Sequence, residues 1–477
     1  MKTTFRKLTF LFMAIIVFSG CQNKSSDNET TAEQKPNIIF ILADDLGYGD
    51  IEPYGQEMIK TPQLGKMAAE GIKFTQHYAG NTVCAPSRCA LMTGLHMGHA
   101  EVRGNKQAEP SGQLPLSDEA VTVAELMKDA GYNTGMIGKW GLGVEGTPGE
   151  PTNQGFDYYY GYLDQILAHN YYPEYLLRNG EKEILDNEVK YLPEEEWHGG
   201  LGSYATKKVD YTHDLFEEDA LRFIEANKGN PFFLYLPFTI PHNNGEAPVG
   251  EKMEIPDYGI YKDKEWHSDT MGHAAMITRM DETIGKIFDK LNETGLDENT
   301  LVLFTSDNGP MQEDNVGFTR FFDSNSFLRG GKRDLYDGGI RVPFIARWPG
   351  KIAEGKTSEH ISAFWDFMPT ACEVAGIEVP KNTDGISYLP ELLGNNEEQE
   401  KHSHLYWEFY GNWDAQAVRK DNWKAVKNIY QDGEIELYNL ANDPDESNNV
   451  ASKHPEIVEQ MDSLMSASRV PSEHFSF

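Results

Sequence analysis

Four stretches of this chain share one grammar, an apolar run of strand length that stops abruptly at ionisable or amide residues. Ile38 to Leu42 lead into Asp44 and Asp45, GYNTGMIGKW reaches Lys139, NPFFLYLPFTIPHNN reaches His242, and NTLVLFTSDNG ends on Asp307 and Asn308. A run that stays apolar on successive residues suits a strand buried on both faces, which a one-sided surface sheet does not require. Helical patterns lie between the runs, in AVTVAELMKDA from Ala120, YTHDLFEEDALRFIEANKG from Tyr211 and HAAMITRMDETIGKIFDKLNETG from His273. Alternating strands and helices predict an α/β fold, a mostly parallel sheet flanked by helices. Ligands of such sheets bind outside the carboxyl ends of the strands, so the four polar clusters are expected to meet at one edge. Surface charges have no reason to follow every buried strand at the same end.

From about His402 the texture changes to short alternating segments, HSHLYWEFY, AQAVRKDNWKAVKN and EIELYNL, followed by a helix-like EIVEQMDSLMSAS. These predict a smaller C-terminal antiparallel sheet with a terminal helix. The polar stretch LGNNEEQEKH has linker character and places the boundary between residues 36–400 and 401–477. No internal repeat is visible.

Charge narrows the partners. With 42 basic and 75 acidic residues the formal charge is −33 and no Lys/Arg run occurs, which argues against nucleic acid. An anionic ligand would need local cations to hold it against that field, so Lys and Arg near the motifs carry extra weight. The start, MKTTFRKLTFLFMAIIVFSGC, combines basic residues, a short apolar run and small residues before Cys21. It reads as an export signal over 1–21, of the lipoprotein type in which Cys21 is lipidated. The polar residues 22–35 read as a flexible tether, and the expected location is the periplasm or cell surface, anchored to the outer membrane only through that lipid. Removing Cys21 leaves Cys84, Cys89 and Cys372, an odd number and no disulfide framework.

Asp44, Asp45, Asp307 and Asn308 supply hard oxygen donors without an obligatory imidazole, which favours Ca²⁺ or Mg²⁺ over zinc. Either pair alone is ordinary turn chemistry; two pairs, each ending a buried strand, point to a metal. In NTVCAPSRCALMTG, Pro86 suits a first helical turn, which puts Cys84 at a helix N-terminus where backbone N–H groups and the dipole favour an anion. From spacing alone Cys84 is either a nucleophile or a buried structural thiol.

CAPSRCALMTG, with its Cys-x-Pro-Ser-Arg core at 84–88, resembles the signature of the type I sulfatases, in which that cysteine is oxidised to formylglycine. The resemblance extends through Asp44-Asp45, GKW at 138–140, PH at 241–242, SDNG at 306–309, GGKRDLYDGGIRVP from Gly330 and ELYNLANDPDESNNVA from Glu436. It implies an alkaline-phosphatase-like fold and a maturation enzyme acting on Cys84. It also implies a gem-diol nucleophile that attacks sulfur and later ejects sulfate through its second hydroxyl. By the same resemblance Asp44, Asp45, Asp307, Asn308 and the modified Cys84 hold one Ca²⁺, and Arg88 steadies the formylglycine. Lys139, His242 and Lys332 then bind sulfate, with Lys139 or His242 protonating the leaving oxygen.

One position departs from the family pattern. Many members read GKWHLG where this chain has Gly141. His169, in LDQILAHNYYP, is the candidate to assist the nucleophile in its place. LHMGHAEVRGN and AHNYYP resemble members acting on sulfated galactose or N-acetylgalactosamine, which makes Arg103, His169 and Asp164 candidate sugar contacts. The resulting expectation is an exo-acting glycan sulfatase. The alternatives are a phosphonate monoester or phosphodiester hydrolase of the same superfamily, and a non-catalytic lipoprotein that binds sulfated glycans.

Overall fold

The computed structural model describes residue 1 and residues 35–106, 113–193, 201–312, 317–411, 414–429 and 433–477. The expected export signal beyond Met1, Cys21 and the tether as far as Gln34 lie outside the described residues. Among the described residues no helix is long and apolar enough to cross a membrane.

Among the described residues, thirteen strands precede the C-terminal sheet. They are β1 (Asn37–Ala43), β2 (Ile72–Tyr78), β3 (Asn133–Lys139), β4 (Tyr158–Tyr162), β5 (Tyr175–Arg178), β6 (Glu181–Ile184) and β7 (Glu188–Tyr191). The others are β8 (Ser203–Lys207), β9 (Phe232–Pro237), β10 (Thr300–Ser306), β11 (Arg341–Arg347), β12 (Lys356–Ser358) and β13 (Ser362–Ala363). The main sheet runs β12-β2-β11-β10-β1-β9-β3-β4-β5-β6, with β13 beside β2. Its centre is parallel: β1 lies between β10 and β9, and β3 between β9 and β4. These include the four runs expected from the sequence.

Every residue of β1 is buried. Its side chains alternate between two cores, with Ile38, Phe40 and Leu42 on one face and Ile39, Ile41 and Ala43 on the other. The first face is covered by helices Cys84–Thr93, Val123–Asp129 and Phe367–Ala375, the second by Pro62–Ala69, Thr212–Ala226 and Ser268–Thr294. The period-two alternation of an all-apolar strand thus feeds two helical layers, which is why β1 has no polar face. Local signals set the helix ends. Thr122 and Glu125 form a reciprocal capping box at one start, and Gly295, at φ 71°, closes the long helix. That long helix begins at Ser268, five residues before the apolar pattern does. The His267 ring accepts from Asp269 N at 3.2 Å, and the first turn buries Asp269, Thr270 and Gly272, which have no apolar period to read.

The antiparallel parts are β11, which pairs with β10 and β2, and the β4-β5-β6 meander. At the C-terminus β14 (Leu405–Phe409), β15 (Ala415–Lys420), β16 (Trp423–Asn428) and β17 (Ile435–Asn439) form a four-stranded antiparallel sheet, joined by the helix Pro455–Ala467. Tyr406, Val418, Ala425 and Leu437 pack against Met461 and Met465 of that helix. Leu405, Trp407, Ala417 and Val426, on the opposite face, enter the main core. Residues 35–477 therefore form one compact unit.

Candidate active site

The four polar strand ends meet. Asp44 and Asp45 follow β1, Lys139 closes β3, Asp307 and Asn308 follow β10, and a loop after β9 brings in His242. Backbone bonds knit these loops into one edge: Asp44 N–H donates to Ile240 O at 2.9 Å and Asp307 N–H to Ala43 O at 3.0 Å. Tyr171 Oη donates to the carbonyls of Thr239 and His242, each at 2.6 Å. Asp45 sits at φ 63°, a left-handed conformation that Asp tolerates better than most residues.

Cys84 begins the helix Cys84–Thr93, with Val83 extended as its N-cap and Gly94 closing it in the left-handed region. Its side chain is buried, and its thiol donates to Asp44 Oδ1 at 3.4 Å. The ammonium groups of Lys139 and Lys332 approach the sulfur to 3.6 and 3.7 Å. Burial, and then the charge of Asp44, push the thiol up to about 12 despite both lysines. An unmodified thiol so held is neutral at pH 7, the opposite of the lowered pKa that a thiolate nucleophile needs. Cys89 packs in the core one turn later, as a structural thiol does.

Around the sulfur, opposite charges are matched at short range. Lys139 Nζ lies 2.7 Å from Asp44 Oδ2, and Lys332 Nζ 2.7 Å from Asp45. Arg88 donates to Asp307 Oδ2 from Nε at 3.1 Å and Nη2 at 2.9 Å, and also to Lys139 O. Its guanidinium is thus placed on the carboxylates, with Asp44 a further 3.5 Å contact. Burial opposes its charge, but Asp307 and Asp44 hold it firmly protonated. Burial also works against charge on Asp44, yet the cations Lys139, Arg88 and Lys332 pull its pKa below the carboxylate range. Asp307 is pushed up to about 7 by burial and then by Asp44. One carboxylate of this crowded set therefore keeps a proton near neutrality unless more positive charge is supplied.

The donor set fits a hard divalent cation. Asp45 Oδ1 accepts from Asn308 Nδ2 at 2.7 Å and Asp45 N–H donates to Asp307 Oδ1 at 3.2 Å, which binds both pairs together. The Asn308 Oδ1 atom is buried with no partner among the described residues, a carbonyl oxygen placed to take a ligand. Asp44, Asp45, Cys84 and His242 bring ligand-type atoms within 4.8 Å of one another.

His242 donates from Nδ1 to Asn243 O at 2.7 Å, which leaves Nε2 to accept from Lys332 Nζ at 3.1 Å. Burial and then Lys332 hold its pKa well below the usual imidazole value, so it is neutral here. His169 stacks on it, with ring centroids 4.6 Å apart at 15°. Glu246, buried, grips His169 Nδ1 at 2.9 Å. Asp164 lies in the electrostatic reach of His169 and Lys139, and burial raises its pKa. Its Oδ1 caps Ile166 and Leu167 N–H, while Oδ2 is buried without a partner.

The structure brings together Cys84, Arg88, Lys139, His242, Lys332, His169, Asp164 and both metal pairs. It does not bring in Arg103. That residue is 2% exposed; its Nε donates to Ala100 O, and its Nη1 to Glu408 Oε1 at 2.8 Å and to Val470 O. Arg103 ties its loop to β14, and its burial leaves it little surface for the sugar contact expected of it. Glu246 escaped the sequence reading because it stands 77 residues from His169 with no spacing signal. Gln165 escaped it too; its buried, unpartnered Oε1 would lie 3.6 Å from a Cβ at Gly141. Gly141 itself sits at φ +83°, where a side chain has room but a strained backbone.

A family model described as Sulfatase matches residues 36–377, and one described as N-sulphoglucosamine sulphohydrolase, C-terminal, matches 327–470. The chain is 29% identical to the N-acetylgalactosamine-6-O-sulfatase of Bacteroides thetaiotaomicron, over 96% of this chain and 98% of that protein. It is 32% identical to human arylsulfatase A, over 90% and 87% of the two chains. The crystal structure of Ps i-CgsB in complex with k-i-k-neocarrahexaose superposes with a TM-score of 0.74 at 27% identity, covering 91% of this chain and 93% of that one. Sequence match and buried site agree: the chain belongs to the type I sulfatase family and is a hydrolase of sulfate esters.

Proposed function

We propose that this sulfatase removes O-sulfate from galactose or N-acetylgalactosamine units of a sulfated glycan, acting from a chain end, with Cys84 matured to formylglycine and one Ca²⁺ at the strand-end carboxylates. The observation that carries the reading is the placement of Cys84, whose sulfur lies within 3.7 Å of Asp44, Lys139 and Lys332 in one buried nest. The similarity to an N-acetylgalactosamine-6-O-sulfatase, and to a structure solved with a carrageenan-type oligosaccharide, supports a glycan substrate.

Asp44, Asp45, Asp307 and Asn308 would hold the cation. Bound there, it supplies a divalent positive charge for sulfate oxygens, and formylglycine at residue 84 supplies a hydrated aldehyde oxygen as nucleophile. The rest falls to the chain's own residues. Lys139 and Lys332 carry two ammonium groups to the point where sulfate charge must be neutralised. Arg88, locked on Asp307, fixes the carboxylate on which the helix start rests. His242 presents Nε2 toward the same point through its bond with Lys332, and its ring is braced by His169 and Glu246. His169 keeps Nε2 free to meet the leaving alcohol or assist the nucleophile, the part that Gly141 cannot play. Export and lipidation at Cys21 complete the reading and rest on the sequence alone.

The test is a panel of sulfated galactose and N-acetylgalactosamine positional isomers, assayed for sulfate release with Cys84→Ala as control. Release from one or two isomers, lost in the variant, is expected. Turnover of a phosphate diester in preference to every sulfated sugar would overturn the assignment, and tight binding without release would support the non-catalytic alternative.

A further inference from the structure

We propose that Arg333 is a specificity residue that binds a second anionic group of the substrate, a uronate carboxylate or an additional sulfate on the reacting sugar or its neighbour. This rests on the glycan reading above and deepens it.

The cations inside the site are committed. Lys139, Lys332 and Arg88 are each matched against Asp44, Asp45 or Asp307, and their task is the reacting sulfate. Arg333 follows Lys332 directly but is exposed. Its backbone N–H donates to Thr82 O at 3.1 Å, which fastens it beside the segment that leads into Cys84. Its guanidinium has no hydrogen-bond or ion-pair partner among the described residues. The adjacent carboxylate of Asp334 is turned away, accepting from Gly331 N–H at 3.3 Å and from Gln312 Nε2. On the other side of Cys84, Asn105 accepts from Ala85 N–H at 3.3 Å, and the next residue, Lys106, reaches His474 O and the Phe475 ring. Of Lys106 and Arg333, Lys106 is thus engaged, whereas Arg333, among the described residues, is not.

Two further features set Arg333 apart. Its φ is +77°, in the left-handed region where a long side chain is disfavoured and Gly or Asn would be easier. Gly330 and Gly331 precede it in the same turn, so the chain places glycine at neighbouring positions and keeps arginine at this one. Such local strain is characteristic of sites where a side chain serves a function. The net charge of −33 also repels an anionic glycan as a whole. A planar guanidinium suits carboxylate and sulfate through paired N–H donors, and would offset that repulsion locally.

The test measures binding by calorimetry to Cys84→Ala protein, whose residue 84 has neither a thiol nor a hydroxyl to be matured. Three ligands are compared: monosulfated N-acetylgalactosamine, the same sugar linked to a uronic acid, and a disulfated form. Each is measured with and without Arg333→Gly, which suits the backbone, and Arg333→Lys. The expected result is a preference of about tenfold or more for one charged ligand, identifying carboxylate or sulfate as the partner. Arg333→Gly should reduce it below about twofold, Arg333→Lys should retain part of it, and high salt should weaken it in the parent only. Aryl sulfate turnover by the mature enzyme should stay within about twofold in Arg333→Gly, since that substrate carries no second anion. A preference that survives Arg333→Gly, or an equal loss of aryl sulfate turnover, would overturn the proposal. Binding and cleavage of sulfated sugars without any charge preference would overturn it while leaving the glycan reading intact. If no sulfated sugar binds although aryl sulfate is hydrolysed, the glycan reading itself falls.

Discussion

Lys332 makes three contacts at once, to Asp45, to His242 Nε2 and to the Cys84 sulfur. Burial works against its charge, but Asp45 and its neighbours keep its pKa above the usual lysine value, so it is an ammonium throughout the neutral range. Removing it takes a buried positive charge from beside Cys84, where the proposed function seats the sulfate. Lys332→Ala should lower kcat by on the order of 10²- to 10³-fold, the scale seen when one preorganised donor is lost from an active site. Lys139→Ala should behave alike, and steady-state kinetics with an aryl sulfate reads both. His169 stands one ring further out, so a loss of less than about tenfold in His169→Ala would remove it from the chemistry and leave it as a brace for His242. Unmodified Cys84 should resist alkylation at pH 8 in the folded protein and react after unfolding, because burial and a pKa of about 12 act in the same direction.

At the level of elements, the loops that follow the strands carry the function, and they pack at distances only glycine allows. A Cβ on Gly309 would lie 1.8 Å from Gly338 O, where the loop carrying Asp307 and Asn308 crosses the segment that carries Lys332. Gly309→Ala should cost about 3 kcal/mol of stability, because main chain must move, and should weaken cation binding more than a distant core change of equal cost. Urea unfolding with and without Ca²⁺ separates the two effects. The strand ends were legible in the sequence because burial on both faces leaves an uninterrupted apolar run, and the ionisable residue that stops it marks the edge. The antiparallel strands were not. In β2 the buried residues alternate with half-exposed Lys73 and Thr75, and β5 and β6 are four residues each, too short for a periodic signal. Arg103 misled because a charged residue near a motif reads alike whether it faces a ligand or a buried Glu408. Glu246 and Gln165 were invisible because a loop has no period.

Across the whole molecule, the C-terminal sheet holds the site from behind. Lys424 on β16 is fully buried between Asp337, at 2.7 Å, and Glu446, at 2.9 Å, and Asp337 lies in the run that begins with Lys332. Lys424→Met would leave buried Glu446 without its cation and Asp337 with only the longer Arg341 contact at 3.4 Å, a loss expected at about 3–5 kcal/mol in thermal or urea unfolding. Cation binding should also couple to pH. Without the ion, burial and Asp44 raise the Asp307 carboxyl to about 7 from an unfolded value of 3.8. The folded protein then holds a proton that the unfolded chain releases, so metal-free stability should fall as pH rises from about 4 toward 7. Ca²⁺ must displace that proton, so its stabilising effect should be larger at pH 7.5 than at pH 5, as melting curves with Ca²⁺ and with chelator would show. The proposed function turns on one residue, Cys84, and on its maturation to formylglycine. The most direct measurement is mass spectrometry of the peptide carrying Cys84 from a preparation of known activity. The account predicts a mass about 18 Da below that of cysteine, in a fraction that rises in proportion to turnover. Full activity in protein that keeps a free thiol at residue 84 would contradict it.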